Sequence, residues 1–167
     1  MATSAAPITL DEYISTSYSP DCEYIDGVVL ERNVGKGKHA YTQGKIYLFL
    51  SGQVLSKKLI VLPEQRVRVS LSRVRIPDVC VVEELEEIVT KAPLLCVEIL
   101  SPDDRWSRVI ASVSDYQMMG VPCVWVIDPY QVKAWTFESE NPPVEVKDGR
   151  LTAQSLGIEV QLSDVLP

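Results

Sequence analysis

Apolar and polar positions recur along this chain with two different periods, and the changes of period mark out its elements. Residues 9–14 read as a short amphipathic helix, because Thr9 followed three residues later by Glu12 has the capping-box pattern. From Cys22 to Glu31 two short alternating runs flank Asp26-Gly27, which predicts hairpin strands at about 22–25 and 28–32. Between His39 and Leu55 the apolar residues Ile46, Leu50 and Val54 have helical spacing. The long helix they predict carries His39, Gln43 and Tyr47 on one stripe. The β-branched runs 59–71 and 74–82, separated by Ser72-Arg73, read as an antiparallel hairpin with Glu64, Arg66 and Arg68 on one face of its first arm.

Further along, alternation gives way to continuous apolar runs. Residues 94–100 have the character of a buried central strand, interrupted only by Glu98. Ser101-Pro102-Asp103-Asp104 is a helix-start cluster, with Ser as cap and Pro at the first helical position. The helix it predicts has an apolar stripe of Trp106, Val109, Ile110, Val113 and Tyr116, an opposite stripe of Arg105, Arg108, Ser112 and Asp115, and an end near Gly120. A second buried strand, 121–127, closes at Asp128-Pro129. Strands at 131–137 and 143–146 follow, with turns at Asn141-Pro142-Pro143 and Lys147-Asp148-Gly149 and a closing turn or helix at 162–166. This order predicts an α/β (α+β) domain: a mixed β-sheet flanked by helices, with β additions at both ends. The 167 residues suit a single domain spanning 1–167.

Composition sharpens this picture in two places. At 46% hydrophobic and 23% charged, the chain has material for a core and is not of the disordered class. It shows no membrane-length apolar run and no signal-like start, so a cytoplasmic protein without membrane attachment is expected. Cys22, Cys80, Cys96 and Cys123 are far apart and form no metal-knuckle spacing, so they read as buried thiols. The net charge of −7 argues against a polyanionic partner until it is read along the chain. Ten basic residues lie between Arg32 and Arg75 against the single acid Glu64, which leaves six basic and 22 acidic residues elsewhere. Either one face suits a polyanion or folding evens the charges out.

Two carboxylates stand out chemically. A lone acid in an apolar strand is costly to bury unless it is paired or coordinates a cation. If the strands bearing Asp78 and Glu98 are neighbours, both acids can hold one divalent ion. Otherwise each pairs with an arginine or caps a loop amide, which the turn dipeptide Pro77-Asp78 favours for Asp78.

Pro77-Asp78, followed by Glu98 on a strand that leads into a helix, resembles the PD-(D/E)XK nuclease superfamily. More closely, the ordered set Glu23-Tyr-Ile-Asp26-Gly27, His39, Gln43, Arg75-Ile-Pro77-Asp78, Val97-Glu98, Ser101-Pro102, Asp115-Tyr116, Gly120-Val-Pro122 and Trp125-Val-Ile-Asp128-Pro129 resembles the Uma family of restriction endonucleases over nearly the full length. The resemblance implies a restriction endonuclease-like core with extra N-terminal and C-terminal β hairpins. It implies a metal-dependent DNA endonuclease that hydrolyses phosphodiester bonds, with Asp78 and Glu98 binding Mg²⁺ or Mn²⁺. It also gives Glu23 and His39 catalytic parts, either completing the metal shell or orienting the attacking water. His39 is a candidate general base, and a helix-start histidine is as readily just exposed.

The family's lysine is missing. The superfamily position is Leu100, and the Uma-like position on the following helix is Ser112, which carries no charge. Arg108, Arg105, Arg66 and Arg68 are the candidate substitutes. Lys36, Lys38, Gln43, Arg66 and Arg68 are the candidate nucleic-acid contacts, while Gly35 and Gly37 form no phosphate cradle. The rival readings are a catalytically inactive nucleic-acid-binding module and an interaction domain that pairs through β edges at 131–146. A homodimer would suit cutting of both strands.

Overall fold

The computed structural model describes residues 6–33, 35–139 and 142–167. In chain order these form α1 (Leu10–Ser15), β1 (Cys22–Ile25), β2 (Val28–Glu31), α2 (Gly37–Val54), β3 (Ile60–Pro63), β4 (Val67–Ser70), β5 (Arg73–Arg75) and β6 (Val79–Val82). The second half contains β7 (Leu95–Ile99), α3 (Trp106–Met119), β8 (Cys123–Asp128), β9 (Lys133–Glu138), β10 (Val144–Glu145), β11 (Arg150–Ala153), β12 (Ile158–Gln161) and α4 (Leu162–Val165).

Local chemistry sets several of these ends. Thr9 caps α1, accepting from the Glu12 amide while the Glu12 carboxylate accepts from the Thr9 amide at 2.7 Å. Asp26 and Gly27 both have positive φ, 50° and 93°, as the tight turn between β1 and β2 requires. Gly120 ends α3 in the left-handed region.

The long sheet has strand order β10-β9-β8-β7-β6-β3, parallel only between β7 and β8. Helix α3 makes the crossover between those two strands. Both faces are covered. Leu95, Val97, Ile99, Trp125 and Ile127 pack on α2 and the β11–β12 hairpin, whereas Cys80, Cys96, Val124 and Val126 pack under Val109, Val113 and Tyr116 of α3. Burial on both faces explains why these strands read as unbroken apolar runs. The smaller sheet, β2-β1-β5-β4, carries α1 through a cluster of Tyr13, Tyr24 and Val74.

Three expectations need correction. The runs 59–71 and 74–82 do not make one hairpin. Glu64 has φ of 48° and breaks the first arm, so β3 and β6 pair in the long sheet while β4 and β5 pair in the small one. Glu64, Arg66 and Arg68 therefore share no strand face. Helix α3 starts at Trp106, four residues after Pro102, because Ser101 and Asp104 close a turn of their own in which Asp104 accepts from the Ser101 amide. The β11–β12 hairpin was not foreseen, although Leu151, Ala153, Ile158 and Val160 are buried and alternate with polar neighbours.

The 147–149 turn is present, with Gly149 at positive φ, while Asn141 of the other expected turn lies outside the described residues. The four cysteines are free and buried, and burial pushes the thiols of Cys80 and Cys123 up to about 12. No helix among the described residues is long and apolar enough to cross a membrane.

Candidate active site

The antiparallel register of β6 and β7 places Val79 opposite Val97 and Cys80 opposite Cys96. Continued by one pair, it sets Asp78 opposite Glu98, on the α3 side of the sheet. Both acids line one small polar cavity of about 60 Å³, enough for a few waters. Like charges directly opposite across a strand pair repel. Burial first, and then the Asp78 charge, hold the Glu98 carboxyl well above the usual carboxylate range, although the Tyr116 hydroxyl donates to Oε1 at 2.6 Å.

Asp78, only 3% exposed, is fully engaged. Oδ2 accepts from the Ile99 amide at 2.7 Å and lies 3.3 Å from His39 Nε2, and Oδ1 accepts from Arg32 Nη2 at 2.9 Å. Gln43, one turn beyond His39, donates to the Asp78 carbonyl at 3.0 Å, so the predicted stripe of α2 does converge on this turn. Both alternatives for Asp78 thus hold in part: it pairs with an arginine, caps an amide, and still faces Glu98.

Arg32 is the residue that sequence reasoning missed. Burial opposes its charge, but the surrounding acids, Asp78 first and then Glu98, outweigh that and raise its pKa. His39 is held in the same way: burial works against the imidazolium, and the hydrogen bond and charge of Asp78 more than offset it. Its Nδ1 is buried without a partner among the described residues. A Cβ at Gly35 would lie 2.5 Å from that nitrogen, so the loop glycine is there to let the imidazole in.

Glu23 belongs to a different arrangement. Its Oε2 meets Arg75 at 3.1 Å and Arg108 at 3.4 Å, and Oε1 accepts from the Ile76 amide. Arg75 in turn pairs with Asp115 at 2.7 Å, and Arg73 joins Asp115 to Asp26. Arg108 also donates to the Glu31 carbonyl at 2.9 Å. This ladder of three acids and three arginines ties the small sheet to α3 along one wall of the cavity.

The Uma2 family model, described as "Putative restriction endonuclease", matches residues 10–166. The chain belongs to the Uma2 family. A solved structure described as "a putative nuclease belonging to DUF820", from Anabaena variabilis, superposes on this Uma2 chain with a TM-score of 0.86. It is 23% identical, and the match covers 95% of this chain and 97% of that one, which establishes the shared fold. No curated protein matches the chain.

The other Uma2 candidates fall in different places. Ser112, one turn beyond Arg108, lines the cavity and donates only to the Arg108 carbonyl. Lys36 pairs with Asp103 and Lys38 lies over the Tyr130 ring, and neither lines the cavity. Arg66 is not brought to the cavity: it pairs with Asp21 and stacks on Tyr13, 4.7 Å from the ring centroid. Arg68 sits half-buried in β4. The ten basic residues of 32–75 therefore do not form one cationic face, since Arg32, Arg66, Arg73 and Arg75 are neutralised by acids from other segments.

The donor set does fit a hard divalent cation. Two carboxylates of opposite strands share a polar cavity, Glu98 has no ion-pair partner among the described residues, and Mg²⁺ is commonly held by one or two carboxylates plus water. Among the described residues no cluster of three or more His, Cys, Asp or Glu side chains has metal-binding geometry, so Glu23 and His39 do not extend the set.

Proposed function

We propose that this Uma2 chain is a divalent-metal-dependent DNA endonuclease in which Asp78 and Glu98 hold Mg²⁺ or Mn²⁺. The observation that carries the reading is the register of β6 and β7, which faces the two acids across one cavity with Arg32 beside them. The metal would supply a water of lowered pKa and polarise the scissile phosphate. The chain's own residues do the rest. The Ile99 amide and His39 fix the Asp78 carboxylate, Gln43 fixes its backbone, and Tyr116 aims Glu98. His39 acts through Asp78, because its second nitrogen is enclosed and offers no route to a water. Arg32 takes the part of the missing lysine: its planar guanidinium can swing from Asp78 to a phosphate oxygen, with charge-assisted hydrogen bonds to the developing charge. Arg108 stands at the rim and supports Glu23.

Purified protein with Mg²⁺ or Mn²⁺ should nick plasmid DNA. Asp78→Asn and Glu98→Gln should each lower the rate at least about a hundredfold, as loss of several kcal/mol of metal-derived stabilisation requires. Equal rates in the variants would overturn the assignment.

One observation favours a second reading, a catalytically inactive DNA-binding module: Ser112 brings no charge to the cavity. Under that reading Ser112→Lys starts cleavage from nothing, whereas under the first it raises an existing rate. The β-edge reading is weaker, because the β10 edge is only two residues long.

A further inference from the structure

Beside the carboxylate cavity lies a larger one of about 390 Å³, and the two share Leu100, Ser101, Asp104 and Val109 as a common wall. Its size is that of a small-molecule site. Its far wall is aromatic. Trp106, the first residue of α3, and Trp135 of β9 stand with ring centroids 4.8 Å apart at 57°. Trp106 is 43% exposed, an unusual placement for an indole that the core does not need.

The floor is polar. Asp128 is buried and its Oδ1 accepts from the amides of Tyr130 and Gln131, which shapes the turn after β8. The Tyr130 hydroxyl is buried with no hydrogen-bond partner among the described residues. The same turn holds Val132 at φ of 57°, a conformation a β-branched residue adopts only when its surroundings impose it. Lys38 lies 5.7 Å from the Tyr130 ring centroid and puts a positive charge near this turn.

We propose that this second cavity is a nucleobase subsite. A base next to the phosphate at Asp78 and Glu98 leaves its stack, lies against Trp106 and Trp135, and presents its polar edge to the 128–131 turn. The inference rests on the endonuclease reading, because the occupant is chosen by continuity with the phosphate site. An indole face to stack on, a second indole inclined beside it and a polar turn are what an unstacked base needs, and the same surface tolerates any base. The subsite favours single-stranded or locally opened DNA over an intact duplex.

The test measures quenching of tryptophan fluorescence and affinity, with EDTA present to prevent cutting. The probes are a single-stranded 12-mer, the same 12-mer with abasic sites at its centre, the duplex 12-mer, and free deoxynucleoside monophosphate. The wild type is expected to bind the single strand with quenching and at least about fivefold more tightly than the abasic strand. Trp106→Ala should lose that factor for the normal strand only, and Trp106→Phe should keep most of it. Thermal unfolding confirms that the variants are folded. If Trp106→Ala binds both strands as the wild type does, while Asp78-dependent nicking persists, the subsite is refuted and the endonuclease reading stands. If the wild type neither binds nor nicks DNA, both fall. Binding of the free monophosphate as tight as that of the 12-mer would replace a strand subsite by a nucleotide pocket and so overturn the proposal.

Discussion

Two groups of buried acids lie side by side in this molecule and are treated in opposite ways. Along the ladder that joins the small sheet to α3, Glu23, Asp115 and Asp26 meet Arg75, Arg73 and Arg108, charge for charge. In the cavity, Arg32 and His39 both partner Asp78, while Glu98 meets the Tyr116 hydroxyl and is held by burial well above the ordinary carboxylate range. A balanced network fastens elements together. A buried acid without a cationic partner, as Glu98 is among the described residues, is a place where positive charge can still arrive. Glu23 and Asp78 line the same cavity, and their partners separate them.

Breaking the balanced side should have the largest effect. Arg75→Met leaves Glu23 and Asp115 buried without their shared partner, and urea unfolding should show a loss of about 3–5 kcal/mol. A loss under about 1 kcal/mol would mean that the ladder is solvated and ordinary. Next in size is a gain on the other side. Mn²⁺ at about a hundred times its Kd should stabilise the wild type by about 2.7 kcal/mol and leave Asp78→Asn unmoved. Equal stabilisation of both would place the ion elsewhere.

The smallest effect is one of pH. The folded chain keeps a Glu98 proton that the unfolded chain releases near 4.5, so the Glu98 contribution to stability in EDTA is full below that value and declines as pH rises toward the folded pKa. His39, also raised, adds to the decline above 6.5. Glu98→Gln should flatten the lower part of this slope and make the protein more stable at neutral pH. An unchanged slope would remove Glu98 from the acid-heavy group.

Much of the fold could be read from local chemistry, because the signals act over a few residues: Thr9 with Glu12, Asp26 with Gly27, and the stripe from Trp106 to Tyr116. The two acids were legible as anomalies, and the family resemblance gave them a shared purpose. Arg32 was not, since nothing near it in sequence distinguishes it from nine other basic residues and its partner is 46 positions away. The charge segregation left two outcomes open for the same reason, and folding evens the charges out: Asp21, Asp26, Glu23 and Asp115 come from outside the basic region to neutralise it. The β11–β12 hairpin was missed although its alternation was present, because each arm has only four residues and the turn between them offers a single glycine, Gly157.

The ribbon from Ile60 to Val82 forks: its outer arms lie in the long sheet and its inner arms in the small one. Asp78 stands where the returning arm leaves one sheet for the other, immediately before β6. Neither sheet can be shed while the other stays whole, because each would take half of the same ribbon with it. The junction is therefore held under the cooperativity of the entire molecule, so the acid it carries keeps its aim for as long as the protein stays folded.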